Sequence, residues 1–269
     1  MAKCHLTWRV KVVSKCISNR SLNSAARGLY SIKRSAKPGR QISDCQRKKS
    51  SEPVIIARMA GSLDTLPARA ALVEIARDFH ARGWMQGTAG NLSAREDANH
   101  FWITASGKPK GRLDENDFLL VRISDGAVVE KANADNRPSA ETSIHRVLYE
   151  RFPEARACLH GHSVNAALVS GRAKPKAKSL RLPPIEMIKG FDIWKQSPKV
   201  ELPLFENILD VVKIAEEIRK RFRKTSPDVT ALLVRSHGAT VWGASLQEAY
   251  NRFEILEFIL DYLARAARR

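Results

Sequence analysis

The chain has 269 residues, 43% of them hydrophobic, and a formal net charge of +18. Such a length and apolar content fit one large globular domain or two small ones and exclude a wholly disordered chain. The charge suggests a nucleic-acid binder, but its distribution argues against one for most of the chain: residues 1–58 hold seven Lys and seven Arg against Asp44 and Glu52, whereas residues 59–269 hold 32 basic and 26 acidic residues. That body is only mildly basic, which an anionic small substrate explains as well as a polymer does.

The cysteines divide in the same way, with Cys4, Cys16 and Cys45 in the basic part and Cys158 in the body. They form no regular even set, so the expected setting is a reducing, cytoplasmic one. No run is long and apolar enough to span a bilayer, and no membrane partner is expected.

Residues 1–58 read as a disordered, basic leader. It could be a transit-like segment, a nucleic-acid or membrane arm, or upstream sequence before a working start at Met59. The third is favoured, because Met59 directly precedes the first organised segment. Residues 59–269 are then expected to form one catalytic domain.

From Leu66 the periodicity becomes helical. In "LPARAALVEIARDFHARGW", Ala70, Val73, Ala76, Phe79 and His80 share a face, and Gly83 suits a C-terminal cap. "GTAGNLSARED" reads as a loop, and "HFWITASG" and "DFLLVRIS" read as strands. "PSAETSIHRVLYERF" predicts a helix beginning at Pro138 or Ser139. "EARACLHGHS" predicts a strand ending at two histidines, followed by a helix in "SVNAALVSG". "PKVELPLF" is another strand, and "NILDVVKIAEEIRKRFRK" is a helix with Asn207 as its expected N-cap. "DVTALLVRSHGATVWG" reads as two strands meeting near His237. A last amphipathic helix starts at a capping box of Ser245 and Glu248. Strands and helices mix without strict alternation, which predicts one α/β domain.

"LHGH" concentrates two of the seven histidines at a strand end. Residues i and i+2 project from one face of a strand, so His160 and His162 can reach one ion. Alone, such a pair is more often two polar residues near a turn. His237 changes that reading, because it ends a second apolar strand. Three histidines with an open fourth position are the arrangement of a catalytic metal. The glycine between His160 and His162 would leave that edge small for a close-approaching sugar. His80 and His145 fit helix faces and have no motif of their own, and Cys158 reads as a small buried hydrophobe. Glu141 stands at a helix start, where the helix dipole favours a negative charge. Glu186, in "LPPIEMIKG", has apolar neighbours that could raise its pKa and fit it for acid/base work. "GTAGNLS" and "ITASGK" could present backbone N–H groups and hydroxyls to an anion.

In order and spacing, "GWMQGTAGNLSARE", "WITASGKPKGRLDENDFLLV", "PSAETSIH", "CLHGHS" and "LLVRSHGATVWG" resemble the class II aldolase/adducin family over roughly residues 66–263. The resemblance implies a three-layer αβα domain with a mixed, mainly antiparallel central sheet, and a homotetramer with active sites near subunit interfaces. It implies one Zn²⁺ per subunit on His160, His162 and His237, favouring zinc over other divalent ions more than the donors do. It also implies a phosphorylated sugar substrate held by Asn91, Ser106, Gly107 and Ser139.

"EMIKG" and "VRSHGATVWG" are most similar to a dehydratase branch. That similarity implies loss of water from 5-methylthioribulose 1-phosphate in methionine salvage, giving a 2,3-diketone phosphate. Glu186 would take the C3 proton, with Glu141 as second choice. The alternatives are a sugar-phosphate aldolase or 4-epimerase, for which Tyr250 and Tyr262 are available tyrosines, and a non-catalytic adducin-like module. The three intact histidines argue against the last.

Overall fold

The computed structural model describes residues 61–267. The expectations for the leader, residues 1–58, and for a start at Met59 lie outside the described residues. Nine strands form one sheet in the order β4-β3-β2-β1-β5-β9-β8-β7-β6. They are β1 (Asn91–Arg95), β2 (His100–Thr104), β3 (Phe118–Arg122), β4 (Val128–Lys131), β5 (Ala157–Gly161), β6 (Ser179–Arg181), β7 (Glu201–Phe205), β8 (Ala231–Val234) and β9 (Gly238–Gly243). Neighbours are antiparallel except β7 and β8, which run parallel. Among the described residues five α-helices complete the fold: α1 (Ala68–Ala81), α2 (Thr142–Arg151), α3 (Val164–Gly171), α4 (Val211–Lys224) and α5 (Leu246–Ala266).

The helices divide between the two faces because each strand alternates its side chains. Leu159 of β5 joins the core built with α1, α3 and α5. Cys158, one residue earlier, joins the core built with α2 and α4. The result is the expected αβα sandwich. Both cores are rich in fully buried aromatics and aliphatics such as Phe253, Leu256, Trp242 and Ile218. Each such side chain contributes about 1.5–3 kcal/mol by leaving water. No helix among the described residues is long and apolar enough to cross a membrane.

Four local expectations need correction. The segment expected as a loop, "GTAGNLSARED", contains a central strand: β1 pairs with both β2 and β5. Its composition is misleading because Asn91 and Ser93, though polar, are buried and hydrogen-bonded. Helix α2 starts at Thr142, not at Pro138 or Ser139, because Pro138 makes a β-bridge with Ala105. Helix α4 is capped by Asp210, whose side chain accepts from the Val212 N–H, rather than by Asn207. At α5, Ser245 caps as expected, but Glu248 accepts from the Ala244 N–H instead of closing the box on Ser245.

Candidate metal centre

The register of the sheet builds the site. Asn91 of β1, His160 of β5 and Thr240 of β9 lie side by side in one row. His160 and His162 project to the same face, as their spacing requires, and His237 arrives in the turn between β8 and β9. Their Nε2 atoms converge: His160 to His162 is 2.8 Å, and His162 to His237 is 3.0 Å. Glu141, the N-cap residue of α2, stands on the fourth side of this group. Its Oε1 lies 3.2 Å from His160 Nε2, 3.7 Å from His162 Nε2 and 2.8 Å from His237 Nε2.

These four donors form a group fit to hold a metal ion. Ligand bonds of roughly 2.0–2.1 Å in a tetrahedron would separate neighbouring donor atoms by about 3.3 Å, which lies inside the spread of these contacts. The chemistry of the ring nitrogens agrees. His160 Nδ1 is 2.9 Å from the Thr240 hydroxyl oxygen, a partner that can take the Nδ1–H when Nε2 turns its lone pair to an ion. Burial lowers the pKa of His162, which keeps its ring neutral and available as a ligand. Burial also opposes ionisation of Glu141, but the imidazoles, His160 first, outweigh it and hold the carboxyl well below the ordinary range.

The glycine between the histidines has a different reason from the one expected. A Cβ on Gly161 would point away from the donors and come within 2.7 Å of Phe253 Cζ and 3.0 Å of the Trp84 carbonyl. The packing of α5 and the Trp84 turn therefore requires glycine there, not the approach of a substrate. Gly238, after His237, is needed at the site itself, because a Cβ would meet the Gly161 carbonyl at 2.3 Å.

Three polar segments gather beside the donors. The bridge between Ala105 and Pro138 sets Ser106 and Gly107 near Ser139, and the Ser106 N–H donates to Arg137 O. The Lys110 N–H donates to Gly87 O, which ties the loop around Gly107 to the loop before β1. Asn91 has a buried side chain engaged with Ser139 at 3.2 Å, and with Glu141 and His145. Its amide thus contacts the candidate ligand carboxylate directly.

One residue here escaped the sequence reading and another was set aside by it. Lys110 is buried, and its Nζ donates to the carbonyls of Thr88 (2.8 Å) and Lys108 (3.0 Å), joining the two loops. Burial pulls its pKa down to about 8, against the pull of Glu141 and Asp117. A lysine inside a Gly/Pro-rich turn looks solvated, so no pattern flagged it. His145 is the other, fully buried behind Glu141. Its signal was available: four residues after Glu141, it shares that helix face.

Glu186 is not brought to the donors within this chain. It begins a 3-10 turn, Glu186–Phe191, which Ile188 and Phe191 anchor in the core of α1, α3 and α5, the layer opposite α2. The apolar setting expected for it is absent, since its side chain is 80% exposed and pairs with Lys189 at 2.6 Å. Met187 beside it lines a cleft of about 680 Å³ with Trp84, Asn165 and Phe258. Tyr250 is taken up structurally, its hydroxyl donating to Asp78 and accepting from Arg82. Cys158 is a free, buried cysteine, its thiol pushed well up by burial.

A sequence profile described as the class II aldolase and adducin N-terminal domain matches residues 70–263. The chain belongs to the class II aldolase and adducin family. A methylthioribulose-1-phosphate dehydratase of Microcystis aeruginosa is 55% identical over 198 residues, covering 74% of this chain and 95% of that protein. One from Leptospira biflexa is 41% identical over 208 residues, covering 76% and 99%. Among solved structures, the L-fuculose-1-phosphate aldolase of Thermus thermophilus is 28% identical with a TM-score of 0.58, covering 73% of this chain and 93% of that one. YgbL of Escherichia coli is 27% identical with a TM-score of 0.61, covering 72% and 86%. The class II aldolase fold therefore accounts for the described body, including both layers that flank the donors.

Proposed function

We propose that this class II aldolase relative is a hydro-lyase that removes water from 5-methylthioribulose 1-phosphate. The observation that carries the proposal is the 55% identity to a dehydratase of that name across 95% of that protein. The intact set of Glu141, His160, His162 and His237 supports a catalytic protein rather than an interaction module.

The four donors would hold one divalent ion per subunit, and three imidazoles with a carboxylate suit Zn²⁺. When bound, such an ion supplies Lewis acidity toward the substrate carbonyl and acidifies the neighbouring C–H. The remaining work falls to the chain. Ser106, Gly107 and Ser139 would hold the phosphate with hydroxyl and backbone donors, with Asn91 at the inner end of that site and the Lys110 ammonium beneath the loops. Glu141 is ionised and engaged by imidazoles, so its oxygens are poorly free to carry protons. That supports Glu186 as the base: a carboxylate oxygen takes the C3 proton and returns it to the departing C4 hydroxyl, which leaves as water, and the C3 enol then ketonises, losing its O–H proton as C4 gains one, to give the 2,3-diketone. We propose a cytoplasmic homotetramer in which Glu186 meets substrate between subunits, since within its own chain it lies in the layer opposite α2.

Turnover of methylthioribulose 1-phosphate beside fuculose 1-phosphate and ribulose 5-phosphate tests the reading. The expected product is the diketone phosphate. Release of dihydroxyacetone phosphate or glycolaldehyde phosphate, with no dehydration, would replace the dehydratase by carbon–carbon chemistry.

A further inference from the structure

Behind the four donors runs a file of buried polar side chains that ligand binding does not require. Glu141 offers Oε1 to the histidines. Its other oxygen, Oε2, accepts from the Asn91 amide nitrogen. Asn91 Oδ1 lies 2.5 Å from His145 Nε2, His145 Nδ1 lies 2.7 Å from Ser93 Oγ, and Ser93 Oγ lies 2.8 Å from the Tyr149 hydroxyl. Asn91, Ser93, His145 and Tyr149 are each at most 1% exposed. Two periodicities assemble the file. Glu141, His145 and Tyr149 follow one another at i, i+4 and i+8 on α2, and Asn91 and Ser93 stand at i and i+2 on β1.

The direction of every bond follows from the carboxylate, which can only accept. Asn91 must turn its NH₂ to Glu141, which leaves its Oδ1 facing His145. His145 must therefore donate from Nε2. Complete burial holds the ring neutral, with a pKa near 3, so its bare Nδ1 accepts from the Ser93 hydroxyl. Ser93 in turn accepts from Tyr149. Each member donates toward Glu141, and no member can reverse without opposing two acceptors. Packing alone does not explain such a file. Leu, Val and Phe would seat α2 on β1 without the desolvation of four polar groups, and a half-satisfied network is worse than an apolar one.

We infer that His145 is a positioning residue for the metal centre. Through the fixed orientation of Asn91 it aims Glu141 Oε1 at the three imidazoles, with Ser93 and Tyr149 setting its tautomer. This rests on reading Glu141 and the histidines as metal ligands.

The test measures Zn²⁺ affinity by competition with a chromophoric chelator, and the visible spectrum of the Co²⁺-substituted protein, in wild type and three variants. His145→Phe keeps the ring volume and removes the donor. His145→Gln keeps an N–H donor near the Nε2 position. Ser93→Ala removes the hydroxyl that sets the tautomer. His145→Phe is expected to lose roughly 10- to 100-fold in affinity and to shift the Co²⁺ bands, Ser93→Ala to lose less, and His145→Gln to stay near wild type. Wild-type affinity and spectrum in His145→Phe overturn the inference, as does a loss in His145→Gln equal to that in His145→Phe. If His145→Phe does not fold, Ser93→Ala decides: unchanged affinity and bands overturn the inference. A wild type that binds no divalent ion instead sinks the metal reading on which it rests.

Discussion

Two buried glutamates in this chain have opposite environments. Glu141, at the N-cap of α2, faces three imidazoles and an asparagine amide, and its carboxyl is held well below the ordinary range. Glu257, inside α5, has only the nearby Ser163 hydroxyl to draw on among the described residues, and burial first, with help from Asp261, outweighs it and raises its pKa to about 7. Both are largely removed from water, so burial does not decide the charge state. Donors do: where they converge, the carboxylate stays ionised and can serve a cation, and where they are few, its pKa rises toward neutrality.

The strongest way to break this contrast is to remove the charge where donors converge. Glu141→Gln is expected to lower metal content well below one ion per chain, and dehydratase turnover with it, as read by elemental analysis of the purified protein. A variant that keeps a full equivalent of metal would show that the three histidines suffice and that Glu141 is not a ligand.

Glu186 sharpens the contrast from a third environment, since it is exposed and paired with Lys189. Its loss should not touch the metal. Glu186→Gln is expected to keep full metal content and wild-type Tm, because exposed substitutions rarely move stability by more than about 0.5 kcal/mol. Its kcat should fall by roughly 10²- to 10⁴-fold, the usual share of general acid/base catalysis. Full turnover in a metal-loaded Glu186→Gln protein would pass the proton-transfer role back to Glu141.

The same contrast explains what the sequence could and could not disclose. The histidines were legible because a period of two and two strand ends imply one meeting point without any knowledge of the packing. An α/β domain was legible from apolar periodicity, and its αβα layering only through the resemblance of the family motifs. Glu141 was legible only as a candidate, because its partners come from β1, β5 and the β8–β9 turn, 19 to 96 residues away in the chain. β1 was missed for the same reason, since Asn91 and Ser93 look like loop residues until the α2 side chains that satisfy them are in place. Glu186 misled because proline and isoleucine neighbours suggest burial, whereas Ile188 and Phe191 turn inward and leave it outside. Glu257 was not distinguishable at all. It sits in an amphipathic helix among Glu254 and Asp261, and nothing local says that it faces the α3 side.

Glu257 therefore gives the smallest effect and the opposite sign. Its folded pKa is above the 4.5 of an ordinary glutamate, so the native state binds its proton more tightly than the unfolded chain does. Stability from this group is fully present below about pH 4.5 and is lost as pH rises through 7, a loss of roughly 3 kcal/mol at most. Glu141 works the other way: its stabilisation is complete above its unfolded value and is lost only as pH falls below that. Between pH 5 and 8, then, Glu257 varies and Glu141 does not. Glu257→Gln keeps the shape, can bond to the Ser163 hydroxyl, and carries no proton to lose. Urea unfolding of the metal-free protein should show the variant gaining on wild type as pH rises from 5 to 8. Parallel pH dependences in the two proteins would mean that donors unseen from this helix satisfy Glu257, and the contrast with Glu141 would collapse.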